Sequence, residues 1–218
     1  MEAQIYIDLA SYAHILAVAI GFGAAFLTDM LVLARLGQKV DQSFLTTLRN
    51  YHGIISFSVM AMWITGLIMI YIRAGFDFAN FWPKLIAKIV IVTVLTVNAQ
   101  IIGNVFMPMI EGSVGKSLLW LPVGTQIKLA GIGATSTASW MLALVLGSSK
   151  VPAASGPMVF VLRLPVVYGG ALVLAAVAVK LLHSVGKSVV PQRRSVATSS
   201  PLSFDMTIAR DYRSATRA

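Results

Sequence analysis

Five long apolar runs, with the charges confined almost wholly to the gaps between them, leave this chain one class of fold. The runs extend from Leu9 to Ala34, Ile54 to Ile72, Leu85 to Met107, Ile127 to Gly147 and Met158 to Leu182. A helix rising 1.5 Å per residue needs about 20 residues to cross about 30 Å of hydrocarbon, and every run is close to or above that length. With 57% hydrophobic and 11% charged residues, the chain has too little polar surface to coat a water-soluble domain. The expected fold is an all-α integral membrane bundle of five transmembrane helices over residues 1–183. A basic, flexible cytoplasmic tail is expected over residues 184–218, where Ser, Thr and Arg dominate and few large apolar residues remain.

The formal charge of +9 does not point to nucleic acid, because the basic residues gather beside helix ends and in the tail. The lipid bilayer, with anionic lipid at the basic tail, is the simpler partner. The chain has no cysteine, which excludes disulfides, thiolate metal sites and cysteine nucleophiles. Acidic residues precede the first apolar run and Arg35 and Lys39 follow it, so it reads as a retained helix and not as a removable signal. Near helix ends, Arg35, Lys39, Arg49, Lys116, Lys187, Arg193 and Arg194 fall on one side, and Arg73, Lys84, Lys150 and Arg163 on the other. That excess predicts the N-terminus outside and the C-terminus inside.

Between the runs, Asp41 or Ser43 is placed to cap a short amphipathic segment ending near Arg49. Phe76, Phe78, Phe81 and Trp82 mark a membrane interface, and Trp82 with Pro83 marks the start of the third helix. From Pro108 to Gln126, Gly112, Gly115, Pro122 and Gly124 break any continuous helix, while Leu118 to Leu121 are apolar enough to lie on the membrane.

Polar groups within a span require a partner or a purpose. His14 shares a face of the first helix with Gly21, Ala25 and Thr28, a surface small enough for close approach of a helix or a planar ligand. It is a candidate axial haem ligand or proton carrier. Asp29, one turn or so from the end of that helix, is expected to pair with Arg35 or Arg49. His52 opens the second helix on a face with Ser56, Trp63, Gly66 and Arg73, and is the second candidate ligand for iron. His14 and His52 belong to opposite ends, about 20 Å or more apart, so they are not expected to hold one iron together. His183 is the histidine at a depth comparable with His52. On the third helix Thr93, Thr96, Gln100 and Asn104 form a polar stripe from which Asn98 departs, and Lys88 is placed to neutralise a carboxylate of a bound acid or to reach outward to water. The hydroxyls from Thr135 to Ser139 are read as packing contacts between helices. The stretch from Gly112 to Ser117 lacks the first glycine of a phosphate loop, and three scattered histidines do not make a structural zinc site. The ten methionines form no repeated soft-ligand motif.

Three segments carry a resemblance: YAHILAVAIGFGAAF from Tyr12 to Phe26, WITGLIMIY from Trp63 to Tyr71, and WPKLIAKIVIV from Trp82 to Val92. Over about the first 110 residues the pattern resembles small bacterial inner-membrane proteins related to copper-resistance protein D and to the membrane-bound, haem-associated protoporphyrinogen oxidase. By that resemblance His14 matches a first-helix histidine, Thr65 and Gly66 a second-helix turn, and Lys88 a third-helix lysine. It implies a multi-pass protein of the bacterial inner membrane that binds haem b and takes part in redox chemistry. Together with the reading of the residues above, this makes His14 the first and His52 the second candidate ligand, not paired, with Lys88 or Arg73 near the propionates. The competing expectations are a non-catalytic accessory or assembly subunit of a larger membrane complex or homo-oligomer, and a small metal-ion transport protein.

Overall fold

The structure, a computed structural model, describes residues 2–148 and 158–189. Lys150 and the expected tail beyond residue 189 lie outside the described residues. Met1–His183 forms one compact unit. The described residues are helical, with no strand among them and only two isolated bridges.

The long helices are α1 (Glu2–Arg35), α2 (Gln42–Ala74), α3 (Pro83–Ile101), α5 (Val123–Ser148) and α6 (Met158–Val189). A π-helical turn, Ile102–Phe106, joins α3 to the short α4 (Met107–Glu111), so that Pro83–Glu111 runs as one apolar span. Five helices are thus long and apolar enough to cross a membrane, as a multi-pass membrane protein requires. At 34 and 33 residues, α1 and α2 exceed the hydrocarbon thickness and must tilt or project beyond it.

Local chemistry sets the helix ends. Asp41 caps α2, its carboxylate accepting from the Phe44 N–H at 2.7 Å. The short segment expected to end near Arg49 does not end there, because nothing between Gln42 and Ala74 breaks the ladder and α2 continues through it. Gly75 ends α2 in the left-handed region, φ 58°, and donates to the Tyr71 carbonyl. Pro83 occupies the first turn of α3, where its missing N–H matters least. The π turn lies just before Pro108, whose ring would otherwise meet the carbonyl four residues back.

The chain packs as antiparallel neighbours, α1 on α2 and α3 on α5, with α2 also against α3 and α1 against α5. At the centre Trp140 is fully buried. A Cβ on Gly21 would overlap the Trp140 ring and come within 2.9 Å of the Ser58 Cβ, so glycine at 21 is what lets the indole enter between α1 and α2. The small face expected to receive a helix or a planar ligand therefore receives an indole from α5. A second core of Phe44, Leu45, Leu48, Phe106, Ile110 and Leu118 closes the end nearest the two connecting loops. There the loops clasp: the Val40 N–H donates to the Lys116 carbonyl (3.0 Å), the Gly115 N–H to Val40 (2.9 Å), and the Ser117 hydroxyl to Leu36 (2.7 Å). Leu118, expected on the membrane, is buried beneath this clasp, whereas Trp120 is 79% exposed. Outward-facing residues are largely apolar, among them Tyr12, Phe57 and Leu174, as lipid contact demands.

Candidate functional site: two ends of the bundle

Contacts between α1 and α2 fix their register. His14 meets Thr65, Ser11 meets Met69, and Gly21 meets Ser58. On this register Asp29 is level with Asn50 and Tyr51, hence at the same end of the bundle as His52. His14 lies at the other end, since Thr65 and His52 are 13 residues or about 20 Å apart along α2.

At the His14 end, the Thr65 hydroxyl stands 2.7 Å from the Ala61 carbonyl and 2.8 Å from His14 Nδ1. When it donates to Ala61 it accepts from Nδ1–H and the Nε2 lone pair is left for another partner, the arrangement that orients a ligating imidazole; in the other tautomer it donates to Nδ1. Gly66 stands beside the ring, a Cβ there falling 3.8 Å from His14 Cε1. The Lys88 ammonium on α3 lies within electrostatic reach of His14, and Lys84 and Arg73 lie within reach of Lys88. Among the described residues no carboxylate forms an ion pair with Lys88, which is half-buried. Of the four candidate residues, three are thus brought to one end: His14, Lys88 and Arg73.

His52 is not among them. Its ring packs on the π turn, where a Cβ on Gly103 would lie 3.1 Å from Nε2, and its Nδ1 is buried without a hydrogen-bond partner. Such an atom costs about 1–3 kcal/mol where it occurs, so its persistence marks a constrained position. Among the described residues no group of three or more histidine or carboxylate side chains could hold a metal ion.

Asp29 takes neither of its expected partners. Arg35 is paired with Asp41 at 3.3 Å and Arg49 with Glu111 at 2.6 Å, both near the clasp and both partly solvated. Asp29 instead accepts from the Thr137 hydroxyl of α5 at 2.6 Å. Thr137 was legible only as one of four hydroxyl residues in a packing stretch, and no spacing rule singles it out. On α3 the roles also differ from expectation. Thr96 accepts from Trp63 Nε1 (2.9 Å), but Gln100 and Asn104 are exposed, and Asn98 is the buried amide, donating to the Ile132 carbonyl at 3.2 Å. A cavity of about 570 Å³ opens between α3, α5 and α6 beside Asn98, Thr135 and Leu172, and no histidine lines it.

Against known protein families, curated proteins and solved structures, the chain finds no match.

Proposed function

We propose that this chain is a multi-pass protein of a bacterial inner membrane, N-terminus outside, that binds a haem-like tetrapyrrole through His14 at the outer end of the bundle. The observation carrying this reading is the 2.8 Å contact of Thr65 Oγ1 with His14 Nδ1, which orients the ring and, in the Nδ1–H tautomer, leaves the Nε2 lone pair for iron. Lys88 and Arg73 supply the positive charge that the ligand's carboxylates require, and among the described residues no carboxylate forms an ion pair with either. A haem held there would supply one-electron chemistry. The residues of the chain would bind and orient it: His14 would provide a nitrogen ligand, Thr65 would orient its ring, and Lys88 would hold the acid groups. His52 belongs to the opposite end and serves no role in this site.

The test is the absorption spectrum of the purified protein in detergent, oxidised and then dithionite-reduced. A Soret band that shifts on reduction, is lost in His14→Ala and survives in His52→Ala is the expected result. A colourless, folded protein, or a band lost only with His52→Ala, overturns it.

A second reading, an accessory subunit of a larger membrane complex, is favoured by α6. The most apolar stretch of that helix is 11% buried, against 22–28% in the other four spans. Leu164 joins the central core, Tyr168 meets Ser139 and Leu172 lies beside Gly131, while Val166, Val173 and Leu174 on the same helix are exposed. A colourless preparation that co-purifies in fixed proportion with a second membrane protein would favour this reading over haem.

A further inference from the structure

Asp29 is an acid within an apolar span, half-buried, at the face α1 turns toward α5. Both arginines near its end of the bundle are committed to other carboxylates. No charged side chain among the described residues acts on it; its one polar partner is Thr137. On α2, which also packs on α1, Tyr51 and His52 stand level with it, and His52 is turned to Gly103 of the π turn. On α5 the nearest cation in sequence is Lys128, nine residues or about 13 Å before Thr137 along the helix.

Thr137 Oγ1 lies between two acceptors, 2.6 Å from Asp29 Oδ2 and 3.2 Å from the Gly133 carbonyl of its own helix. A hydroxyl has one proton to give and two lone pairs with which to accept. With Asp29 ionised, Thr137 donates to the carboxylate. With Asp29 protonated, the acid O–H donates to Thr137 Oγ1, and the threonine proton turns to Gly133. Each state gives the Thr137 hydroxyl and the Asp29 oxygen facing it a partner, and the two differ by one proton on Asp29 and one hydroxyl rotation. A metal cation does not fit as well, since Asp29 and Thr137 are the only polar side chains joined here and the Gly133 carbonyl is engaged by its own helix, too few oxygens for a cation's coordination shell.

We propose that Asp29 and Thr137 form a reversible proton-binding site between α1 and α5, with the Thr137 hydroxyl as a two-position switch. The site is independent of the haem reading, being at the opposite end from His14 and sharing no residue with it.

The test is infrared difference spectroscopy of the full chain in lipid vesicles, titrated across the pH range in which it stays folded. The expected result is a protonated-carboxyl carbonyl band that appears and disappears with pH and is absent in Asp29→Asn. Thr137→Val, which removes the switch, should move its midpoint by about one pH unit or more, and Thr137→Ser should leave it in place. If Asp29→Asn does not assemble, the Val and Ser variants decide the matter alone. A band that does not titrate, one that persists in Asp29→Asn, or equal midpoints in Thr137→Val and Thr137→Ser overturns the proposal. The haem spectrum is unaffected by any of these outcomes.

Discussion

The two ends of this bundle treat charge in opposite ways. At the His14 end a half-buried cation, Lys88, sits beside Lys84 and Arg73 and takes no carboxylate among the described residues as an ion-pair partner. At the Asp29 end the arginines are paired, Arg35 with Asp41 and Arg49 with Glu111, and a carboxylate is left without a cation. Exchange of partners along the bundle would neutralise both, yet the fold holds them about half its length apart. An unpaired charge in a low-dielectric span is expensive, and its retention at both ends is the property of sites that exchange something with their surroundings. The positive end suits an acid, and the negative end suits a proton.

The substitution with the largest expected effect strikes the packing that separates the ends. Gly21→Val drives two methyl groups into the space occupied by the Trp140 ring and Ser58. Overpacking of this kind costs about 3 kcal/mol, and both ends should suffer, since α1 carries His14 above the contact and Asp29 below it. Denaturant unfolding in detergent measures the loss. Retention of wild-type stability would mean that Trp140 is free to leave the core, and the two ends would then share no rigid partition.

Lys88→Gln should leave stability nearly unchanged and weaken retention of the pigment about tenfold, the equivalent of 1.4 kcal/mol, if Lys88 holds an acid group of the ligand. The measurement is haem loss to apomyoglobin in excess. An unchanged rate would remove the positive end from the comparison.

How much of this was legible beforehand differs between architecture and site. Helix number follows from the apolar runs because each is near the length of a span, and Pro83 announces the start of α3 by backbone chemistry that depends on no distant residue. The continuity of α2 through Arg49 was not legible, because a polar stretch at a helix start reads the same whether it ends or propagates. Partners across helices were hidden for a further reason. Asp29 has arginines close in sequence, and only the clasp of Val40 on Gly115 and Lys116 shows that those arginines face the loops. Likewise Asn98, outside the polar stripe of α3, is the buried amide, since which face of α3 meets α5 is set by side-chain volumes on both helices and not by the pattern of one.

Asp41 offers a smaller test at the clasp. Its carboxyl is held below the ordinary aspartate value, first by the Phe44 N–H it caps and then by the Arg35 guanidinium. A carboxyl whose folded value is depressed binds fewer protons folded than unfolded, so the stability it lends is complete above about pH 4 and fades as pH falls through the lowered value. Asp41→Ala should therefore destabilise slightly at neutral pH, and its difference from wild type should shrink in acid. A difference independent of pH would assign the effect to helix propensity and not to the cap.

The smallest effect is expected where the negative end is roomiest. Gly133→Ala places a Cβ 3.9 Å from Asp29 Oδ1, an ordinary contact, and nothing else lies within 4 Å. Alanine is better than glycine in a helix by about 0.8–1.0 kcal/mol in water, and less where neighbouring helices already hold the backbone. The net change in unfolding free energy should be small and of stabilising sign, and the carbonyl of residue 133 remains to receive the Thr137 proton. Gly21 and Gly133 thus make opposite demands though both lie on faces where α1 meets α5. At 21 the absent side chain is replaced by an indole, and at 133 by open space beside an acid. Were Gly133→Ala as damaging as Gly21→Val, Asp29 would have to lie deeper against α5 than its single threonine contact implies, and the negative end would be a packed joint with no room for a proton to come and go.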